Sequence, residues 1–179
     1  PIYLTADGQR TRWGRLFRAD GLDALTDDDR ARLGSLDLAP ACPDPVVGPV
    51  TDATLTAAAA AVTSRAARAR DRALLRRLAR APTPQWVQCD LFADRLGWSA
   101  AVVLTTLGVG RETVVADHLL SAQAGVPPTP DRTHLDTAFE AIRRRYRTWG
   151  RYLGRGLGID QRTYDRLRQR YVTNRGGRR

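Results

Sequence analysis

Cys89 and Arg95 stand six positions apart, with Asp90-Leu91-Phe92-Ala93-Asp94 between them. Five intervening residues are enough for a loop to curl so that its backbone N–H groups face one point, and such a nest holds an anion. A helix starting behind the loop adds the positive end of its dipole. The same field lowers the pKa of a cysteine at the loop's start and makes it a thiolate nucleophile. Arg95 offers a planar fork for two oxygens of a phosphoryl group. Asp94 is the natural proton donor to a leaving group. Cys89, Asp94 and Arg95 are therefore the catalytic candidates. Asp90, Leu91, Phe92, Ala93 and Leu96, with Trp98 just beyond, are the ligand-binding candidates. The spacing alone also fits an inert buried cysteine beside an unrelated arginine.

The elements around the loop are those that would position it. Gln85 to Cys89 reads as a short strand and Arg95 to Leu107 as a helix, which Gly108 ends because glycine adopts the left-handed conformation at little cost. Strand, loop and helix in this order is where open α/β sheets bind ligands. The expected fold is one α/β domain over residues 1–173, with a small, mainly parallel sheet, Gln85 to Cys89 central in it, and a helix-rich C-terminal half. Upstream, Tyr3 to Thr5, the turn Ala6 to Gln9 and a strand from Trp13 to Ala19 suggest a hairpin-like opening. Thr26 with Asp27, Asp28 and Asp29 marks a helix start, and that helix is expected to reach about Leu36. Pro40, Pro43, Pro45 and Pro49 make Asp37 to Pro49 a loop around Cys42. One long helix is expected from Thr51 to about Ala81, with Leu55, Val62, Ala66, Ala69, Ala73 and Leu78 as its apolar stripe. Arg65, Arg68, Arg72 and Arg76 would then be a solvated face. Further helices are expected at Glu112 to Ala124, Asp131 to Thr148 and Asp160 to Val172, and a basic, disordered tail at 174–179.

Gln88-Cys89-Asp90-Leu91-Phe92-Ala93-Asp94-Arg95-Leu96-Gly97 is similar to the signature H-C-x-A-G-K-D-R-T-G of the bacterial tyrosine-phosphatase-like family. Thr5 to Gly8, Trp13 to Asp20 and Leu25-Thr26-Asp27 resemble that family's opening, Leu107 to Ser121 its helices after the loop, and Ala138 to Tyr146, Tyr152-Leu153 and Gly156 to Gly158 its C-terminal signature. The resemblance covers most of the chain and implies a cysteine-phosphatase-like three-layer fold, with the sheet flanked by helices. It also aligns Asp117-His118 with a family helix motif, in which a histidine is more often structural than catalytic.

Four departures from the family pattern fall at or just before the loop. Phe92 stands at the family glycine, Ala93 at the lysine, Leu96 at the threonine and Gln88 at the histidine. Phe92 resists backbone conformations open to glycine, Ala93 removes a cation, and Leu96 removes a hydroxyl. Asp90 adds a carboxylate that repels phosphate. Efficient phosphotyrosine hydrolysis is therefore not expected. The expected activity is a retuned one on a small, anionic metabolite in a pocket lined by Phe92 and Trp98. The alternatives are a pseudophosphatase with a binding or structural role and a weak cysteine-dependent phosphatase. Where the family has a strand ending in Asp-Leu-Arg this chain has the proline-rich segment around Cys42, so the sheet is expected to be one or two strands short.

The composition bounds partners and compartment. The 179 residues hold 29 Lys+Arg against 19 Asp+Glu, a formal net charge of +10. Every one of those cations is arginine, and methionine is absent. Arginine and alanine without lysine are what GC-rich codons produce, so charge alone is a weak argument for nucleic acid. No zinc spacing, RNA-binding aromatic motif or basic heptad accompanies it, and nucleic acid is not the expected partner. Two cysteines, Cys42 and Cys89, are too few for a disulfide framework. With no apolar run of membrane-spanning length, the expectation is a soluble, cytoplasmic protein without cofactor or metal.

Overall fold

The computed structural model describes residues 2–18, 26–35, 39–40, 59–60, 62–87, 97–120 and 131–173. Helices dominate them, and a three-stranded sheet sits among the helices. Strand β1 is Leu16–Arg18, β2 is Ala39–Pro40 and β3 is Gln85–Val87. Their order is β1-β3-β2, with both neighbours parallel to β3. The expected central strand is thus central from Gln85 to Val87, and residues 88 and 89 lie outside the described set. Ala39–Pro40 corrects the expectation that Asp37 to Pro49 is only loop. Proline is compatible with it because β2 is an edge strand, where one backbone N–H is dispensable.

The N-terminal segment closes more tightly than the sequence suggests. Leu4 pairs with Arg10, and Thr5 N–H donates to the Gln9 carbonyl at 2.9 Å across a turn in which Gly8 has φ 76°. The hairpin partner is therefore Arg10 rather than the Trp13 to Ala19 stretch, whose strand portion, β1, joins the parallel sheet. Thr5 and Thr11 also bridge to Val109 and Val172, tying the chain's start to its C-terminal half.

Helix α1, Asp27–Ser35, begins with a reciprocal cap: Asp29 N–H donates to Thr26 Oγ1 at 3.2 Å, and Thr26 N–H to Asp29 Oδ2 at 3.3 Å. Helix α2 is Arg65–Arg80, and the expected single helix from Thr51 is interrupted before it. Ser64 is extended and accepts from Ala67 N–H at 3.1 Å, so a serine that could pass for a mid-helix residue is an N-cap. Pro82 follows the C-cap Ala81, as expected. The buried face of α2 is Ala67, Asp71, Leu74, Leu75 and Leu78, with Ala79. Ala66 and Ala69, expected on that face, are exposed. Leucine buries far more apolar area than alanine, and the three leucines set the register.

Helix α3, Trp98–Thr106, is apolar on every side, and Trp98, Ala101, Val102 and Val103 are buried. Such a helix belongs in the centre of a core. Gly108 follows it with φ 89°, as expected. Helix α4 is Arg111–Leu120 and α5 is Arg132–Tyr146, capped by Asp131, which accepts from Thr133 N–H at 2.9 Å. Arg147 then turns the chain with φ 70° into α6, Trp149–Arg151, and a π-helical turn, Tyr152–Gly156. Neither was foreseen. Helix α7, Gln161–Tyr171, is capped by Asp160 and packs on α2. Leu74, Leu75, Val102, Leu135, Leu157 and Leu167 belong to one buried cluster joining α2, α3, α5 and α7. None of the described helices is long and apolar enough to cross a membrane.

Candidate functional site

The candidate loop connects the central strand to the central helix. Val87 ends β3, and Gly97 opens α3 in the left-handed conformation, φ 63°. Cys89, Asp90, Leu91, Phe92, Ala93, Asp94, Arg95 and Leu96 lie outside the described residues, as does Cys42. What the structure describes is the frame that holds both ends of the segment.

Trp98 is the one candidate ligand-binding residue within the described set, and its position corrects the expected role. It is 1% exposed. Its ring packs edge-on against Phe139 and Trp149, at centroid distances of 5.5 and 6.3 Å. Its indole N–H donates to Asp71 Oδ2 at 3.0 Å. An indole whose N–H is satisfied inside the core is a structural anchor. Trp98 therefore pins the first turn of α3 immediately after the loop.

Asp71 is the hub of that anchor and was missed in the sequence. Its side chain is fully buried on α2 and accepts from Trp98 Nε1 and from Tyr152 Oη at 2.9 Å, both on Oδ2. Oδ1 faces an Arg70 guanidinium nitrogen at 3.4 Å. Burial pushes the Asp71 carboxyl above its ordinary range, while Arg70, Trp98 and Tyr152 pull it back. Burial, and then the Asp71 charge, push the Tyr152 hydroxyl upward, so it remains a donor. One signal was available: Asp71 falls on the stripe of Leu74, Leu75 and Leu78, three, four and seven residues on. A carboxylate on an apolar stripe demands buried partners.

The second support is His118 on α4, 3% exposed. A Cβ on Gly97 would stand 2.3 Å from His118 Nδ1, so the imidazole occupies the space a side chain would need. Both the left-handed φ and this contact require glycine at position 97. The structural role expected for this histidine agrees with its burial. Beside it, the Tyr3 hydroxyl donates a short hydrogen bond to Asp117. These two residues line a cavity of about 100 Å³ with Leu16, Phe17, Ala100 and Leu104. That volume holds a few waters and falls short of a small-molecule site of roughly 300 Å³ or more.

The arginine stripe of α2 is more than a solvated face. Arg72 Nε donates a short hydrogen bond to the Leu157 carbonyl, and Arg76 donates to the Gly158 carbonyl at 3.1 Å. They satisfy carbonyls freed where the π-helical turn ends, as side-chain donors do at helix C-termini. Among the described residues, no group of histidine, cysteine, aspartate and glutamate side chains could hold a metal ion.

The sequence profile of the tyrosine phosphatase family matches residues 2–42 and 49–173. The matched stretch includes the 88–96 segment and every element that frames it. None of the curated proteins matches the chain.

Proposed function

The chain belongs to the tyrosine phosphatase family, and from that premise we propose a divergent enzyme of the cysteine-phosphatase-like three-layer α/β fold. Its phosphate loop is retuned to act on a small anionic metabolite rather than to hydrolyse phosphotyrosine efficiently. One observation carries this reading. The 88–96 segment leaves the central strand of a parallel sheet and enters a buried helix held at its first residue by Asp71. A rigid frame at both ends is what a preorganised anion cradle needs.

Cys89, Asp94 and Arg95 form the working set. For a phosphate monoester, the Cys89 thiolate attacks phosphorus and forms the S–P bond while the P–O bond to the leaving group breaks. Asp94 gives its proton to the departing oxygen, and Arg95 spans two equatorial oxygens. Water then attacks phosphorus, giving a proton back to the Asp94 carboxylate as the S–P bond breaks, which releases phosphate and restores the thiolate. Phe92 and Leu96 make the rim more apolar than the family loop, and Ala93 and Asp90 weaken the attraction for a dianion. This balance favours a smaller or less charged ligand than phosphotyrosine.

A turnover screen of small phosphorylated and carboxylated metabolites with wild type, Cys89→Ser, Asp94→Asn and Arg95→Ala tests the proposal. Loss of turnover in all three variants supports the thiolate route. Loss in Asp94→Asn and Arg95→Ala alone indicates that the cradle works without covalent chemistry. Folded variants that all match wild type would overturn the enzymatic reading in favour of a binding protein.

A further inference from the structure

Arginines from three parts of the chain converge on one concavity of about 570 Å³, lined by Arg12, Arg15, Arg80, Arg166 and Arg170. Arg12 and Arg15 belong to the segment before β1, Arg80 ends α2, and Arg166 and Arg170 lie one turn apart on α7. A volume of this size lies within the roughly 300–1,000 Å³ of small-molecule sites. The concavity sits where β1 and β3 begin, whereas residues 88–96 follow the opposite end of β3.

The backbones that carry these arginines are tied to one another. Thr11 bridges to Val172, and Arg12 N–H donates to the Tyr171 carbonyl at 2.7 Å, which clasps the segment to the end of α7. Arg12 Nε donates to the Val172 carbonyl at 3.0 Å. The Arg15 carbonyl accepts from Gln85 N–H at 3.0 Å. The Tyr171 hydroxyl donates to the Leu78 carbonyl at 3.2 Å and holds α7 against α2. Burial pushes that hydroxyl up to about 12 against the pull of Arg170 and Arg15, which places both cations near it. Arginines gathered before a ligand arrives repel one another, and an entering anion relieves that repulsion without first having to collect them.

Helix ends explain only part of the clustering. Arg80 and Arg170 lie in the last turns of α2 and α7, where a cation offsets the negative end of the helix. Each end carries about half a negative charge, so the two together offset about one arginine of the five. Arg12 and Arg15 precede a strand and have no such role.

We propose that this concavity binds a condensed phosphate, a chain of two or more linked phosphoryl groups, free or carried by a nucleotide. A single phosphate has oxygens for about two bidentate guanidinium forks, so five arginines match several linked phosphoryl groups. Ala79, Pro82 and Gln169 complete the lining and are not aromatic. The phosphate chain, rather than a stacked base, is therefore the part recognised.

The test is isothermal titration calorimetry of the full chain with tripolyphosphate, ATP, orthophosphate and citrate, at about 50 mM NaCl and without divalent metal. Tripolyphosphate should bind about tenfold or more tighter than orthophosphate or citrate, since it alone engages most of the forks. ATP no tighter than tripolyphosphate identifies the free chain as sufficient, and ATP about tenfold tighter identifies a nucleotide as the source. Arg80→Gln/Arg166→Gln and Arg15→Gln/Arg166→Gln, both made at exposed side chains, should each weaken tripolyphosphate binding by about tenfold or more, because each removes two charge-assisted contacts. Arg143→Gln/Arg144→Gln, which removes the same net charge on α5, should change it by less than about twofold, since salt screens distant charges. Arg95→Ala should leave it unchanged as well. The proposal is overturned by absence of tripolyphosphate binding, by orthophosphate or citrate binding as tightly, by equal loss in the α5 variant, or by loss in Arg95→Ala with the two pocket variants unaffected. None of these outcomes depends on turnover at Cys89, so this proposal and the enzymatic one fail independently.

Discussion

Asp71→Ala is the substitution that most severely tests how the loop's frame is held. It removes the acceptor of Trp98 Nε1 and one of the two acceptors of Tyr152 Oη, which keeps the Val62 carbonyl at 3.3 Å. Each orphaned buried donor costs about 1–3 kcal/mol. Arg70 is 16% exposed and can turn to water, so it adds little. Trp98 Nε1 is the donor that loses its acceptor, so the cost centres on about 2 kcal/mol. For a chain of this size that corresponds to a Tm lower by roughly 4–8 °C. Asp71→Asn makes the sharper comparison. Both donors converge on the same oxygen, Oδ2, so an asparagine with its carbonyl placed there keeps them and loses only the Arg70 contact. A cost below about 1 kcal/mol is expected at neutral pH, because burial makes the ionised carboxylate less favourable in the fold than a neutral amide that keeps both bonds. Urea unfolding of the three proteins measures both differences. A cost below about 1 kcal/mol for Asp71→Ala, or one for Asp71→Asn as large as for Asp71→Ala, would refute the hub.

Three further outcomes follow from the same packing. Asp71 has a folded-state pKa above its ordinary value of 3.8, so its proton-linked contribution is complete below that value and is lost as pH rises toward the folded value. The stability advantage of wild type over Asp71→Asn should therefore shrink with rising pH in urea unfolding from about pH 4 upward. The exposed carboxylates work in the opposite sense: Arg143 and Arg144 hold Glu140 down to about 2, and its contribution is lost only as pH falls from its ordinary 4.5 toward that value. Gly97→Ala should cost more than the roughly 1–2 kcal/mol of a left-handed alanine, because its Cβ meets the His118 ring. In a double-mutant cycle with His118→Ala the excess should disappear, and strict additivity would contradict the contact. Ser64→Ala should lower stability by about 1 kcal/mol, read from the urea midpoint, if the serine caps α2 rather than lying within a longer helix.

The parts of the fold legible in the sequence were those written in local chemistry. Thr26, Asp131 and Asp160 announce helix starts through their own side-chain oxygens, and Gly108 announces an end through its backbone freedom. The β3 strand was legible because prolines on one side and a C-x5-R motif on the other left a short apolar run between them. What was not legible depended on partners distant in sequence. Ser64 reads as a tolerable mid-helix serine until its extended backbone is seen. Arg72 and Arg76 read as solvated until residues 157 and 158 bring their carbonyls against α2. The role of Trp98 was misassigned because proximity to the loop in sequence suggested a pocket wall, whereas Asp71, 27 residues upstream, satisfies its N–H in the core. Ala39–Pro40 escaped because proline argues against strands in general and edge position is a tertiary property.

The central claim is that residues 88–96 retain a framed anion site whose chemistry has drifted from phosphotyrosine hydrolysis. The most direct measurement is kcat on a phosphotyrosine peptide for wild type and for a variant carrying Phe92→Gly, Ala93→Lys and Leu96→Thr. Wild type should turn over well below the common range of about 1–10³ s⁻¹. The variant should gain about tenfold or more, since each restored electrostatic donor is worth up to about 2.7–4 kcal/mol in the transition state and the gains are not additive. Wild-type turnover within that common range would contradict the claim. So would a folded variant with no gain.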